Sequence, residues 1–187
     1  PDVVGRKAIL EIHAKGKPLS SDVNLGMLAK QTPGFSGADL ANVINEAALL
    51  ASRGNKKIIT MEDFGNAIDR VIAGPERRSR VISEREKKTI AYHESGHALV
   101  AWSLPQADKP HKISIISRGV TGGYTKLLPE EDRLLWTKKQ FQDRLAVAMG
   151  GRVAEEIAVG DISTGASNDI EEATKIALSM VKRYAMN

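Results

Sequence analysis

Apolar residues recur at helical spacing along most of the chain, at i, i+3 and i+4, and switch to alternation in one short stretch. Val4, Ala8, Ile9 and Ile12 mark a first helix that starts at Pro1-Asp2 and breaks at Gly16-Lys17-Pro18. A second helix is predicted from Val23 to Lys30. Ser36 with Asp39 caps a longer third one, whose Leu40, Val43, Ile44, Ala47 and Leu50 face a core until Gly54-Asn55. Thr60 with Asp63 caps a fourth, carrying Phe64, Ala67, Ile68 and Val71 and ending at Gly74-Pro75. These four helices predict a small domain over residues 1–74. A polar, arginine-bearing linker over 75–83 carries no apolar stripe, and residues 84–187 form a second, differently patterned domain.

The second domain opens with Ser83-x-x-Glu86, a capping box, and the run it begins is stopped by Leu104-Pro105, so a helix of roughly twenty residues is expected. Ile90, Leu99, Val100 and Trp102 are expected to pack it into a core. His111 to Ser117 is β-branched and alternating, Gly119 to Gly123 contains a turn, and Tyr124 to Leu128 reads as the paired strand, ended by Pro129. Thr137 with Gln140 caps a helix that reaches Gly150-Gly151, and Val153 to Ile157 continue as another. A last amphipathic helix carries Ile170, Ala173, Ile176, Ala177, Met180 and Val181. The fold class is mainly α: a four-helix subdomain, then a mostly helical domain with a small β-hairpin.

Chemistry enters at the centre of the helix after residue 83, in His93-Glu94-x-x-His97. A four-residue step on a helix rotates the second histidine only about 40° from the first, so both imidazoles leave one face within reach of a single ion. Zinc suits imidazole nitrogen, and a catalytic zinc site keeps one position open for water. Glu94, beside the first ligand, is placed to take a proton from that water as it attacks a polarised carbonyl. The reaction so predicted is peptide hydrolysis. A strand edge beside such a site would hold an extended substrate backbone with little side-chain specificity.

Catalytic zinc needs a third protein ligand. His111, at a strand start, is a poor one. Two acidic candidates compete on chemistry alone: the Glu155/Glu156 pair, of which one carboxylate could face inward, and Asp169, which could equally offset a helix dipole.

Composition narrows the class. The chain has 187 residues, 42% hydrophobic and 27% charged, with no apolar run of the eighteen or so residues a membrane span needs. With no cysteine it can form neither disulfides nor thiolate zinc sites, so any metal must use His, Asp or Glu. The net charge of +4 would permit contact with polyanions, but three Phe, three Tyr and two Trp and no basic-aromatic motif argue against nucleic-acid recognition. No Gly-x-x-x-x-Gly-Lys-Ser/Thr phosphate loop occurs, so this stretch is not expected to hydrolyse ATP by itself.

Gly34-Phe35-Ser36-Gly37-Ala38-Asp39-Leu40, Asn45-Glu46-Ala47-Ala48 and Ile9-Leu10-Glu11-Ile12-His13 resemble the C-terminal lid subdomain of AAA ATPases. Together with His-Glu-Ser-Gly-His at 93–97, the resemblance is to the FtsH family of membrane-anchored AAA zinc proteases, and it covers nearly the whole chain. It implies that His13, Gly37 and Ala38 lie near the adenine and ribose of a nucleotide. It also selects Asp169, in the Ser-Thr-Gly-Ala-Ser-Asn-Asp pattern over 163–169, as the third zinc ligand beside His93 and His97, with Glu94 as general base. Further implications are Zn2+ as cofactor, ATP and Mg2+ used by the full-length protein, a homohexamer, and unfolded or membrane proteins as substrates. The resemblance places the full-length protein at the cytoplasmic face of the bacterial inner membrane, anchored by a segment outside this stretch. The competing expectation is a nucleotide-responsive assembly module of the hexamer with a structural or inactive metal site.

Overall fold

A computed structural model describes residues 1–76, 82–118, 122–129 and 132–186. Its contacts divide the chain into two compact units, Pro1–Glu76 and Arg77–Asn187. The arginines expected in the linker at 77, 78 and 80, and most of the turn expected between Gly119 and Gly123, lie outside the described residues.

The first unit is four helices, α1 (Val3–Ala14), α2 (Leu25–Lys30), α3 (Gly37–Arg53) and α4 (Met61–Ala73). Each starts where a side chain satisfies an orphan amide: Asp2 accepts from Gly5 N–H, Asn24 from Met27 N–H, and Ser36 and Thr60 form reciprocal boxes with Asp39 and Asp63. Asn24 explains why α2 is shorter than the apolar pattern from Val23 suggests. Gly74, at φ 84°, closes α4 in a conformation that glycine adopts without strain. Leu10, Leu28, Leu40, Val43, Ile44, Phe64 and Ile68 are fully buried at the centre. Arg6 is buried with them; it donates from Nε to Ala29 O and from Nη1 to Pro1 O, tying the chain start and α1 to the end of α2.

The second unit contains α5 (Glu84–Ser103), strands β1 (Lys109–Ser114) and β2 (Tyr124–Leu128), α6 (Lys138–Val159), a 3₁₀ turn (Thr164–Ala166) and α7 (Ser167–Lys182). The strands pair antiparallel, with Ile113 opposite Thr125 and Ser114 opposite Tyr124. Capping boxes Ser83/Glu86 and Thr137/Gln140 start the two long helices. The continuous run of α6 through Gly150-Gly151 merges what the sequence reads as two helices, because both glycines are buried under α5 rather than turned into a cap.

The packing of α5 departs from expectation. Leu99 and Trp102 are 68% and 69% exposed, and the buried side of the helix is instead His93, Glu94, Gly96, His97, Ala98 and Ala101. The cause is a glycine-to-glycine crossing: a Cβ on Gly96 would lie 2.4 Å from Gly150 O and 2.5 Å from Ala154 Cβ. Backbones this close leave room only for small residues, so large apolar side chains are turned outward. At the far end of α6, Trp136 and Phe141 stack at 5.5 Å and Phe141 and Tyr184 at 5.6 Å, and Arg144 pairs with Glu172 to join α6 to α7.

Candidate metal centre

Two helices distant in sequence, α5 and α7, bring three side chains to one point. His93 Nε2 and His97 Nε2 are 3.0 Å apart, and Asp169 Oδ2 lies 3.2 Å from the first and 3.5 Å from the second. Among the described residues these three form the group of His and acidic side chains able to share a metal ion.

The other ring nitrogens fix what the converging ones are. His93 Nδ1 is 2.7 Å from Glu155 Oε1, and His97 Nδ1 is 2.7 Å from Val147 O. A carboxylate and a carbonyl only accept, so each Nδ1 carries the hydrogen and each neutral imidazole turns a bare Nε2 lone pair inward. Asp169 adds a third lone pair. Three acceptors and no donor at 3.0–3.5 Å repel one another unless a cation or protons lie among them. Tetrahedral ligands about 2.0–2.1 Å from zinc stand about 3.3 Å from each other, so this triangle fits that ion.

Asp169 stands in the first turn of α7, a helix that has no side-chain cap, and its carboxylate is directed at the two imidazoles. Burial alone would raise its pKa; the hydrogen bonds from His93 and His97 and their charge outweigh burial and bring it down to about 2. For His93 and His97 burial acts downward, yet hydrogen bonds to Asp169, to Glu155 and to the Val147 carbonyl raise both above 6.5. The metal-free cluster therefore has a window of greatest stability. The carboxylate's contribution is complete above 3.8 and fades as pH falls towards about 2, while that of the histidines is complete below 6.5 and fades as pH rises through their raised values. Thermal melts of the metal-free protein are expected to peak between roughly pH 4 and 6.5 for this cluster. Zinc affinity is expected to fall across the acid side of the same histidine titration, because the ion competes with those protons. A zinc affinity flat from pH 8 to 5 would contradict this assignment of lone pairs.

Glu155, the other acidic candidate, is buried on the Nδ1 side of His93, where its second oxygen accepts from Ser163 N–H at 2.7 Å. It thereby joins α6, the imidazole and the loop before α7. Glu156 is exposed and faces Arg152. Sequence reasoning weighed Glu155 only as a ligand; its supporting position depends on which face of α6 meets α5. Gly151 was missed altogether as a site residue. A Cβ there would lie 2.5 Å from His97 Nε2 and 2.6 Å from His93 Nε2, within the space the lone pairs enclose. The doubled glycine at 150–151 was its only sequence signal.

Glu94 is buried on the same helix, its carboxylate 2.8 Å from Thr125 Oγ1, and burial raises its pKa above 4.5 despite that hydrogen bond. His111 lies on β1, outside the converging group. In the first unit, Ile9 Cδ1 lies 3.9 Å from where a Cβ of Gly37 would stand, and His13 follows Ile9 by one turn on α1. His13 and Ala38 are exposed.

A helix-borne His-Glu-x-x-His pair closed by an aspartate from a second helix, on a mainly α unit, defines the class of zinc metallopeptidases. The sequence pattern of peptidase family M41 matches residues 80–187, and that of the AAA+ lid domain matches residues 22–66. The chain belongs to peptidase family M41. It is 66% identical over its whole length to ATP-dependent zinc metalloprotease FtsH 1 of Sphaerobacter thermophilus and 63% identical to FtsH 1 of Thermomicrobium roseum. To FtsH of Thermotoga maritima the identity is 56% over 188 aligned positions. The chain spans 29%, 29% and 31% of the lengths of these three relatives. Among the described residues no helix is long and apolar enough to cross a membrane.

Proposed function

We propose that the second unit is the peptide-cleaving centre of an ATP-dependent zinc endopeptidase, with His93, His97 and Asp169 as zinc ligands and Glu94 as general base. The observation that carries this reading is the convergence of three acceptor atoms, the two imidazole nitrogens among them held bare from behind by Glu155 and Val147 O. A zinc ion held there supplies Lewis-acid polarisation of a peptide carbonyl and acidifies water. Glu94 takes the proton from the attacking water and passes it to the leaving amine. Burial raises the pKa of this carboxyl, which makes it a stronger base for the proton of the attacking water.

For the whole protein the reading extends further. The first unit closes over nucleotide with His13, Gly37 and Ala38 at its adenine and ribose edge, and ATP with Mg2+ is turned over by parts outside this stretch. Homohexameric assembly delivers unfolded and membrane proteins to the peptidase centres at the cytoplasmic face of the bacterial inner membrane. Residues 1–74, 75–83 and 84–187 serve as lid, joint and peptidase.

Metal analysis with peptide-cleavage kinetics tests this. The wild-type protein is expected to hold one zinc per chain and Asp169→Ala to lose it, while Glu94→Gln keeps the metal and loses about 10²–10⁴ in kcat. Bound zinc without any cleavage by wild type, with Glu94→Gln indistinguishable from it, would instead identify a nucleotide-responsive assembly module with a structural metal.

A further inference from the structure

The hairpin approaches α5 at one point and brings a hydroxyl to the carboxylate of Glu94. Thr125 Oγ1 lies 2.8 Å from Glu94 Oε2 and 2.9 Å from the main-chain O of the same residue. Two features make that approach possible. The strand face is one: Thr125 and Leu127 alternate to the same side of β2, and Leu127 packs on the cluster of Ala101 and Val147, two turns of α5 beyond Glu94. The glycine before the strand is the other. A Cβ on Gly123 would lie 2.8 Å from Ile90 Cγ2, 3.1 Å from Glu94 Cγ and 2.7 Å from Ser114 O, so only a residue without a side chain lets β2 sit this close to the helix.

We propose that Thr125 is a positioning residue for Glu94, its hydroxyl holding the carboxyl group in one orientation before and after proton transfer. The inference rests on the peptidase reading of the site. A hydroxyl has one hydrogen to give and two lone pairs to accept with. While Glu94 is ionised, Thr125 donates to Oε2. Once Glu94 has taken the proton from water on Oε1, Oε2 is the carbonyl oxygen of the neutral acid and still accepts from Thr125, so the proton on Oε1 is left to pass to the leaving amine, while Thr125 Oγ1 stays 2.9 Å from Glu94 main-chain O. Both states are satisfied without moving a heavy atom. Valine fills the same volume but offers neither bond, and it would leave a buried carboxylate without the one side-chain partner found for it among the described residues. Because Thr125 belongs to β2, the carboxyl's orientation is set by the hairpin as well as by α5.

The test compares Thr125→Val and Thr125→Ser in the protein, with zinc content and melting temperature measured first and kcat and KM on an extended fluorogenic peptide afterwards. Thr125→Val is expected to keep its zinc and hold KM within about twofold, while kcat falls about 10–100-fold, part of what a well-placed general base contributes. Thr125→Ser, which retains the hydroxyl, is expected to recover kcat to within about threefold of wild type. Should the valine variant fail to fold, Thr125→Ala makes the same comparison with the serine variant. The proposal is overturned if Thr125→Val retains wild-type kcat, if serine is as impaired as valine, or if the loss follows lost zinc or a raised KM. Glu94→Gln separates the two readings: a dead Glu94→Gln beside an unimpaired Thr125→Val sinks only the role of Thr125. A Glu94→Gln variant that cleaves as fast as wild type sinks the general-base role of Glu94 and this inference with it, and a wild type that binds zinc without cleaving sinks the peptidase reading.

Discussion

Gly151→Ala is expected to abolish zinc binding while leaving the helices in place. The added methyl would stand 2.5 Å from His97 Nε2 and 2.6 Å from His93 Nε2. Ligand nitrogens sit roughly 2.0–2.1 Å from zinc, so the methyl and the ion compete for the same few cubic ångströms. The helix cannot simply step back, because α6 is seated on α5 by the crossing of Gly96 with Gly150, where a Cβ would already meet backbone at 2.4 and 2.9 Å. Overpacking of this kind costs about 1–3 kcal/mol, and the better helix propensity of alanine returns up to about 1 kcal/mol. Stability is therefore expected to change little beside the loss of the site. Metal analysis should find close to no zinc per chain, with far-ultraviolet circular dichroism unchanged. A Gly151→Ala protein that holds zinc with wild-type affinity would show that the helices separate readily and that the glycine is not a constraint.

Glu155→Gln is expected to weaken zinc binding about 10–100-fold, although Glu155 is not proposed to touch the metal. Its two oxygens each accept at 2.7 Å, one from His93 Nδ1–H and one from Ser163 N–H. Glutamine has one oxygen and one NH2 group, so one of those donors must face another donor. If the oxygen stays with His93, the Ser163 amide loses its acceptor and the loop that places Asp169 loosens. With the amide the other way round, His93 is driven to the opposite tautomer and points an N–H, rather than a lone pair, at the ion. Either outcome damages the site. Chelator competition measures the affinity, and Glu156→Gln is the control, since its exposed side chain pairs with Arg152. Equal losses in both variants, or none in Glu155→Gln, would remove Glu155 from its supporting role.

Such dependence on residues behind the ligands marks the limit of what spacing reveals. His93, Glu94 and His97 lie within one and a half turns of a single helix, so helical geometry alone brings the imidazoles together, and the capping residue Ser83 and the Leu104-Pro105 stop are local signals. The helices of the first unit are legible for the same reason, through Ser36/Asp39 and Thr60/Asp63. Asp169 is different. It is 72 positions beyond His97, and chemistry alone left it level with Glu155; only resemblance to a family selected it. In the fold both residues reach His93, on opposite nitrogens, a division of labour that depends on where α6 and α7 stand around one imidazole ring.

By itself, then, the sequence determined the helical character of the chain, the helix starts, the alternating hairpin and the metal-seeking pair, because each is written within a turn or two of backbone. Tertiary structure decided the rest. It turned Leu99 and Trp102 outward, made Gly96, Gly150 and Gly151 into the spacing of the site, set Glu155 behind His93 and laid Thr125 on Glu94. The physical reason is distance: the closest approach of two helices, and the atom that fills or vacates the gap, depend on how the chain closes over 31 to 76 residues, which no local period encodes.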